Sequence, residues 1–217
     1  MIILENNNMA LLKGIIKEAP CFSHSLKDEN FYSFPLEVPR LSGSCDTIII
    51  TLSEKLLKVT QISIGDSVSI SGQFRSYNNY SGVGNKLILT LFAKDIVHID
   101  ESELQDNPNT IYLNGFICKP TVYRTTPFGR EITDIILAVN RLYGKSDYIP
   151  CIAWGRNAKF ASMLDVGNRV EIQGRIQSRD YQKKISDDEV ITKTAFEISV
   201  SKIDLAEQEG EIFSEDQ

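Results

Sequence analysis

The chain repeats itself at a spacing of 102 residues: Ile64, Gly65, Val68, Ile70 and Gly72 answer to Val166, Gly167, Val170, Ile172 and Gly174. A second anchor lies upstream at a shift of 101, where Leu12, Gly14 and Ile16 answer to Leu113, Gly115 and Ile117, and each is followed by a proline, Pro20 or Pro120. Two anchors at nearly one shift point to a duplicated unit of about 100 residues, and a repeat of that size restricts the chain to two similar small domains. The expected organisation is unit one over 1–100, a polar acidic linker over 101–108 closed by Pro108, unit two over 109–205, and an acidic tail over 206–217.

Within each unit the apolar residues alternate over short runs broken by glycine and serine clusters, which reads as strands. Unit one offers 10–17, 31–38, 47–52, 67–75 and 87–92; unit two offers 110–118, 131–140, 148–154, 169–178 and 193–201. Between the third and fourth strands of unit two, Ala158, Ala161 and Leu164 recur at helical spacing, with Asn157 placed to cap the start and Gly167 after the end. Five strands with one helix between the third and fourth is the order of an OB-fold barrel, a small closed sheet that commonly binds oligonucleotides on strands two and three and the neighbouring loops. The expected fold is therefore all-β: two tandem five-stranded OB-fold barrels, each with at most one short helix, and a flexible acidic C-terminal tail. Gly115 and Gly174 fit the sharp bends such a barrel needs.

The net charge of −6 argues against nucleic acid only until it is divided: residues 1–107 carry −4, residues 108–205 carry +3, and residues 206–217 carry −5. A ligand responds to the local field, and unit two is mildly basic. Along its third strand Tyr148, Ile152 and Trp154 share one face, while Ile149, Cys151 and Ala153 form a small apolar face suited to a core. Tyr143, Tyr148, Trp154 and Tyr181 stand near strand ends, interleaved with Arg124, Arg130, Arg141, Arg156, Arg175, Arg179, Lys183 and Lys184. Flat rings beside cations suit unpaired bases, each stack worth about 1–3 kcal/mol. A core role is the competing reading for any one ring.

Unit two resembles the bacterial single-stranded DNA-binding protein (SSB) family. The matching segments run in order: Leu113 to Pro120, Thr126 to Glu131, Leu137 to Arg141, Tyr148 to Arg156, Val166-Gly167, and Val170 to Arg179. The resemblance implies an OB fold, binding of single-stranded DNA without strong sequence preference, no catalysis, and stacking aromatics at the places held by Tyr143, Tyr148, Trp154 and Tyr181. It implies four OB folds brought together, which a homodimer of this chain supplies, a cytoplasmic, nucleoid-associated location, and roles in replication, recombination or repair alongside the proteins of those processes. Alternatives are an RNA-binding OB module and a protein-interaction scaffold for replication or restart factors. Unit one departs further: it lacks tryptophan, is net acidic, and keeps only Ser53 to Leu57 after its third strand. Phe31, Tyr32, Phe34, Arg40, Arg75, Tyr77 and Tyr80 form either a weaker binding face or core and interface. Arg75, Tyr77 and Tyr80, in a flexible aromatic loop, are the best local candidates. The tail holds Phe213, a candidate docking residue for protein partners, but four residues follow it, which favours a plain acidic end.

Other classes find little support. Gly144-Lys145-Ser146 lacks the upstream glycine of a phosphate loop, since position 139 is Val139. His24 and His98 lack ligand spacing for a metal, and Cys21, Cys45, Cys118 and Cys151 form no CxxC pair and are expected as free, buried thiols. No apolar run reaches membrane-spanning length, and no cofactor is expected.

Overall fold

The computed structural model describes residues 6–79, 87–184 and 190–206. Twelve strands form one continuous sheet in the order β2-β3-β4-β6-β5-β1-β7-β11-β12-β10-β9-β8, and two further pairings, β3–β1 and β7–β9, curl it into two closed barrels. Unit one comprises β1 (Asn8–Ile16), β2 (Cys21–Leu26), β3 (Glu29–Pro39), β4 (Cys45–Ser53), helix α1 (Glu54–Thr60), β5 (Ser67–Asn78) and β6 (Leu87–His98). Unit two comprises β7 (Asn109–Ile117), β8 (Val122–Thr125), β9 (Glu131–Asn140), β10 (Ser146–Trp154), helix α2 (Arg156–Ala161), β11 (Arg169–Lys184) and β12 (Val190–Leu205). These are two five-stranded OB barrels with one short helix each; β2 and β8 are extra hairpin partners of β3 and β9 that the sequence reading did not contain.

The period-two pattern explains the barrels. Along β1 the burial alternates, with Ala10, Leu12 and Ile16 inside, and β7 repeats it with Ile111, Leu113 and Ile117. Each fully buried Leu or Ile contributes about 1.5–3 kcal/mol. The chain closes each barrel where a glycine lets two backbones meet: a Cβ on Gly14 would lie 2.5 Å from the Glu37 carbonyl oxygen, and one on Gly115 would lie 2.5 Å from that of Ala138. The need at Gly115 is thus close approach rather than a bend.

Helix α1 starts at Ser53, whose Oγ accepts from the Leu56 N–H at 3.3 Å. Helix α2 differs from expectation. Its cap is Gly155, held at φ +54, and Asn157 instead sits in the first turn and donates its Nδ2 to the Ser201 carbonyl at 2.9 Å. The linker carries a 3-10 turn, Glu101–Gln105, that buries Leu104. Of the four free cysteines only Cys151 is buried; Cys118 is half-buried, and Cys21 and Cys45 are exposed because they sit at strand starts that face no core. The tail from 207 onward, with Phe213, and Tyr80 lie outside the described residues. No helix among the described residues is long and apolar enough to cross a membrane.

The barrels join edge to edge through β1 and β7, antiparallel, with Asn8 opposite Leu113, Ala10 opposite Ile111 and Leu12 opposite Asn109. Adding 101 to one partner gives the other partner's mate, so a pseudo-twofold axis passes through the Ala10–Ile111 pair. The contacts around it come in matched sets. Asn8 exchanges two hydrogen bonds with the Phe74 backbone at 2.8 and 2.9 Å, and Asn109 does the same with Ile176 at 2.7 and 2.9 Å.

Candidate nucleic-acid interface

Strand β10 builds the face on which the aromatic argument rests. Ile149, Cys151 and Ala153 point into the barrel core, and burial pushes the Cys151 thiol up. Tyr148, on the opposite face, keeps 51% of its surface exposed. Trp154 ends the strand half-buried, and lies in one register row with Ile132 of β9 and Arg124 of β8. Ile152, expected beside them, is buried at 5%. Tyr148 is held from across the molecule: its N–H donates to Ser76 Oγ of unit one at 2.8 Å.

Ser76 is held in turn by an ion pair between half-buried Arg141 and buried Asp147. Arg141 Nε donates to Asp147 Oδ2 at 2.7 Å, its Nη2 donates to Asp147 Oδ1 and to the Ser76 carbonyl at 3.0 Å, and Asp147 Oδ1 accepts the Ser76 N–H. By accepting these hydrogen bonds Asp147 holds the Arg141 guanidinium above its ordinary pKa. The same device recurs across the pseudo-axis: Arg40 grips Asp46 and the Ser178 carbonyl at 3.1 Å, and Asp46 accepts the Ser178 N–H at 2.7 Å. Both carboxylates are sealed from solvent. Each unit thus clamps the long fourth barrel strand of the other. Arg141, expected on phosphate, is instead committed to the seam, with its guanidinium 5.0 Å from the Tyr77 ring.

The remaining cations divide. Arg124 makes a forked pair with Asp134 at 2.7 and 3.2 Å, Arg179 lies 3.8 Å from Glu197, and Arg175 lies 3.7 Å from Asp46. Arg130, at the β8–β9 tip, and Arg156, opening α2, are exposed with no ion pair among the described residues. The Arg124–Asp134 pair is exposed and worth about 0–1 kcal/mol, so a phosphate can exchange with its carboxylate; Glu197 is buried, but Arg179 is exposed and too far from it for a hydrogen bond, which leaves its guanidinium open to a phosphate. The backbone of Tyr143 forms a 3-10 turn, Leu142–Gly144. Tyr181, Lys183 and Lys184 lie within β11, which runs on to Lys184 rather than stopping before them. The side chains of these four residues lie outside the description.

In unit one, Phe31 and Phe34 are core, and Arg40 belongs to the clamp. Arg75 and Tyr77, expected in a loop, are strand residues because β5 extends to Asn78. Arg75 stacks 4.2 Å above Phe92. Sequence reasoning passed over Phe128, 93% exposed at the β8–β9 tip, and Tyr123, whose hydroxyl donates to Glu131 at 2.7 Å. The available signal was an aromatic at the apex of Pro127-Phe128-Gly129, with Gly129 at φ +76.

A model of the Single-strand binding protein family matches residues 108–206. The second unit belongs to that family. It is 35% identical over 83 residues to the single-stranded DNA-binding protein of Clostridium tetani (strain Massachusetts / E88), covering 35% of this chain and 57% of that protein. It is 32% identical over 83 residues to single-stranded DNA-binding protein A of Bacillus subtilis (strain 168), covering 35% of this chain and 48% of that protein. The chain spans about half the length of these SSB relatives. The fold of both units together is that of the wild-type single-stranded DNA binding protein from Thermus aquaticus, with a TM-score of 0.72, 16% identity, and 93% of each chain covered.

Proposed function

We propose that this chain binds single-stranded DNA with little sequence preference, in replication, recombination or repair. Bases stack on Tyr148 and Trp154, with Tyr143 and Tyr181 completing the row, and phosphates meet Arg130, Arg156, Arg124 and Arg179. The observation that carries this is Tyr148: a large ring left half open on a strand whose other face is wholly buried. An open ring beside arginine is a stacking platform for any base, because every base has a π-face. Two chains pairing would bring four barrels together, with a solution mass of twice 24.4 kDa.

Fluorescence of Trp154, the single tryptophan, tests this. A homopyrimidine oligonucleotide is expected to quench it, and affinity is expected to fall with salt by about 0.7 in log K per log salt for each phosphate contacted. Emission unchanged at stoichiometric oligonucleotide refutes the proposal. Tyr148→Ala is expected to weaken binding by about 1–3 kcal/mol, as loss of one stack does.

A further inference from the structure

The seam holds a second feature that the stacking face does not use. A cleft of about 640 Å³ opens where the β2–β3 hairpin of unit one meets the β9–β10 turn of unit two. Five cations line it: Lys27, Arg75 and Lys94 from unit one, Arg141 and Lys145 from unit two. Asp147 is the only carboxylate in the lining, and Arg141 already neutralises it. Lys27, Arg75, Lys94 and Lys145 have no ion pair among the described residues, so four positive charges face one concavity unbalanced. Like charges gathered on low-dielectric walls repel one another and focus the field on an anion. They do not hold the fold together.

The pseudo-twofold axis supplies an internal control. Lys145 corresponds to Ser44 by the shift of 101 that relates the two clamps, Arg75 to Gln177 through the paired Ser76 and Ser178, and Lys94 to Ser201 through the strand registers. The hairpin tip corresponding to that of Lys27 carries Phe128 and Arg130, and neither lines the counterpart cleft. The counterpart cleft, about 340 Å³, has only Arg40 and Arg175 as cations, and both face Asp46. The same architecture therefore stands without the charge, and the charge is concentrated in one of the two clefts. Lys27 holds its place at φ +48 in a two-residue turn with Asp28 at φ +62, a backbone that lysine rarely adopts.

We infer that this cleft binds the phosphodiester backbone of single-stranded DNA, so that unit one takes part in strand binding through charge rather than through stacking. The inference rests on the reading that unit two stacks bases. Arg141 links the two places, since it lines the cleft and donates to the Ser76 carbonyl, while Ser76 Oγ seats the Tyr148 N–H.

The test uses the full chain carrying Lys27→Gln, Lys94→Gln and Lys145→Gln together, against a charge-matched control of Lys55→Gln, Lys58→Gln and Lys119→Gln, none of which lines the cleft. Trp154 quenching by a long homopyrimidine strand is followed across salt. The cleft variant is expected to flatten the slope of log K against log salt by about 2, at about 0.7 per phosphate contact, and to weaken binding about ten- to a hundredfold near 0.1 M salt. The control is expected to stay within about 0.7 of the parent slope. A triple Lys→Arg exchange at the cleft is expected to keep the parent slope. If the cleft variant and the control behave alike while Trp154 is still quenched, the cleft has no role and the stacking proposal stands. If the parent itself shows no quenching, both fall.

Discussion

A Cβ built on Gly72 would stand 2.2 Å from the carbonyl oxygen of Phe92, at the point where the β5–β6 register slips. Backbone cannot yield that distance without breaking the ladder, so Gly72→Ala is expected to destabilise the protein by about 1–3 kcal/mol, read as a lower denaturation midpoint at unchanged slope. An unchanged midpoint would mean that the β5–β6 ladder yields at this point. Single residues were unevenly legible. Tyr148 was readable because a strand's two faces alternate, and three small apolar neighbours fixed which face was inward. Arg141 was not readable alone, since its partner Ser76 lies 65 residues away. The clue was internal: an arginine six residues before an aspartate occurs at Arg40–Asp46 and again at Arg141–Asp147.

The strands that sequence reading located were those with one buried face. β2 and β8 escaped because every residue in them is exposed, so no alternation marks them. For the same reason β11 was cut short: its far half pairs with β12, Tyr181 opposite Lys193, through residues whose identities carry no core pattern. The clamps belong to this scale too, since each ties the loop end of one hairpin to a strand from the other unit. Removing either aspartate leaves a half-buried guanidinium and a serine N–H without their acceptor, a loss of about 1–3 kcal/mol. Asp147→Ala and Asp46→Ala are both expected to lower stability by such amounts in chemical denaturation. Only Asp147→Ala is expected to weaken oligonucleotide binding beyond what the stability loss explains, because Ser76 seats the Tyr148 backbone.

At the scale of the molecule, the two barrels share one sheet and interlocked clamps, so neither has a complete boundary of its own. Calorimetry is expected to show a single cooperative transition; two resolved transitions would indicate barrels that melt separately. The repeat announced two like units, but not that they would pair through their first strands, because edge pairing leaves no periodic trace in composition. The axis through Ala10 and Ile111 has a further meaning. In an assembly of identical subunits every substitution lands twice, and both sides of the symmetry element must tolerate it. Here each half has its own codons, so a lysine can be gained on one side while phenylalanine or serine is kept on the other. A bound strand then meets a surface with a head and a tail.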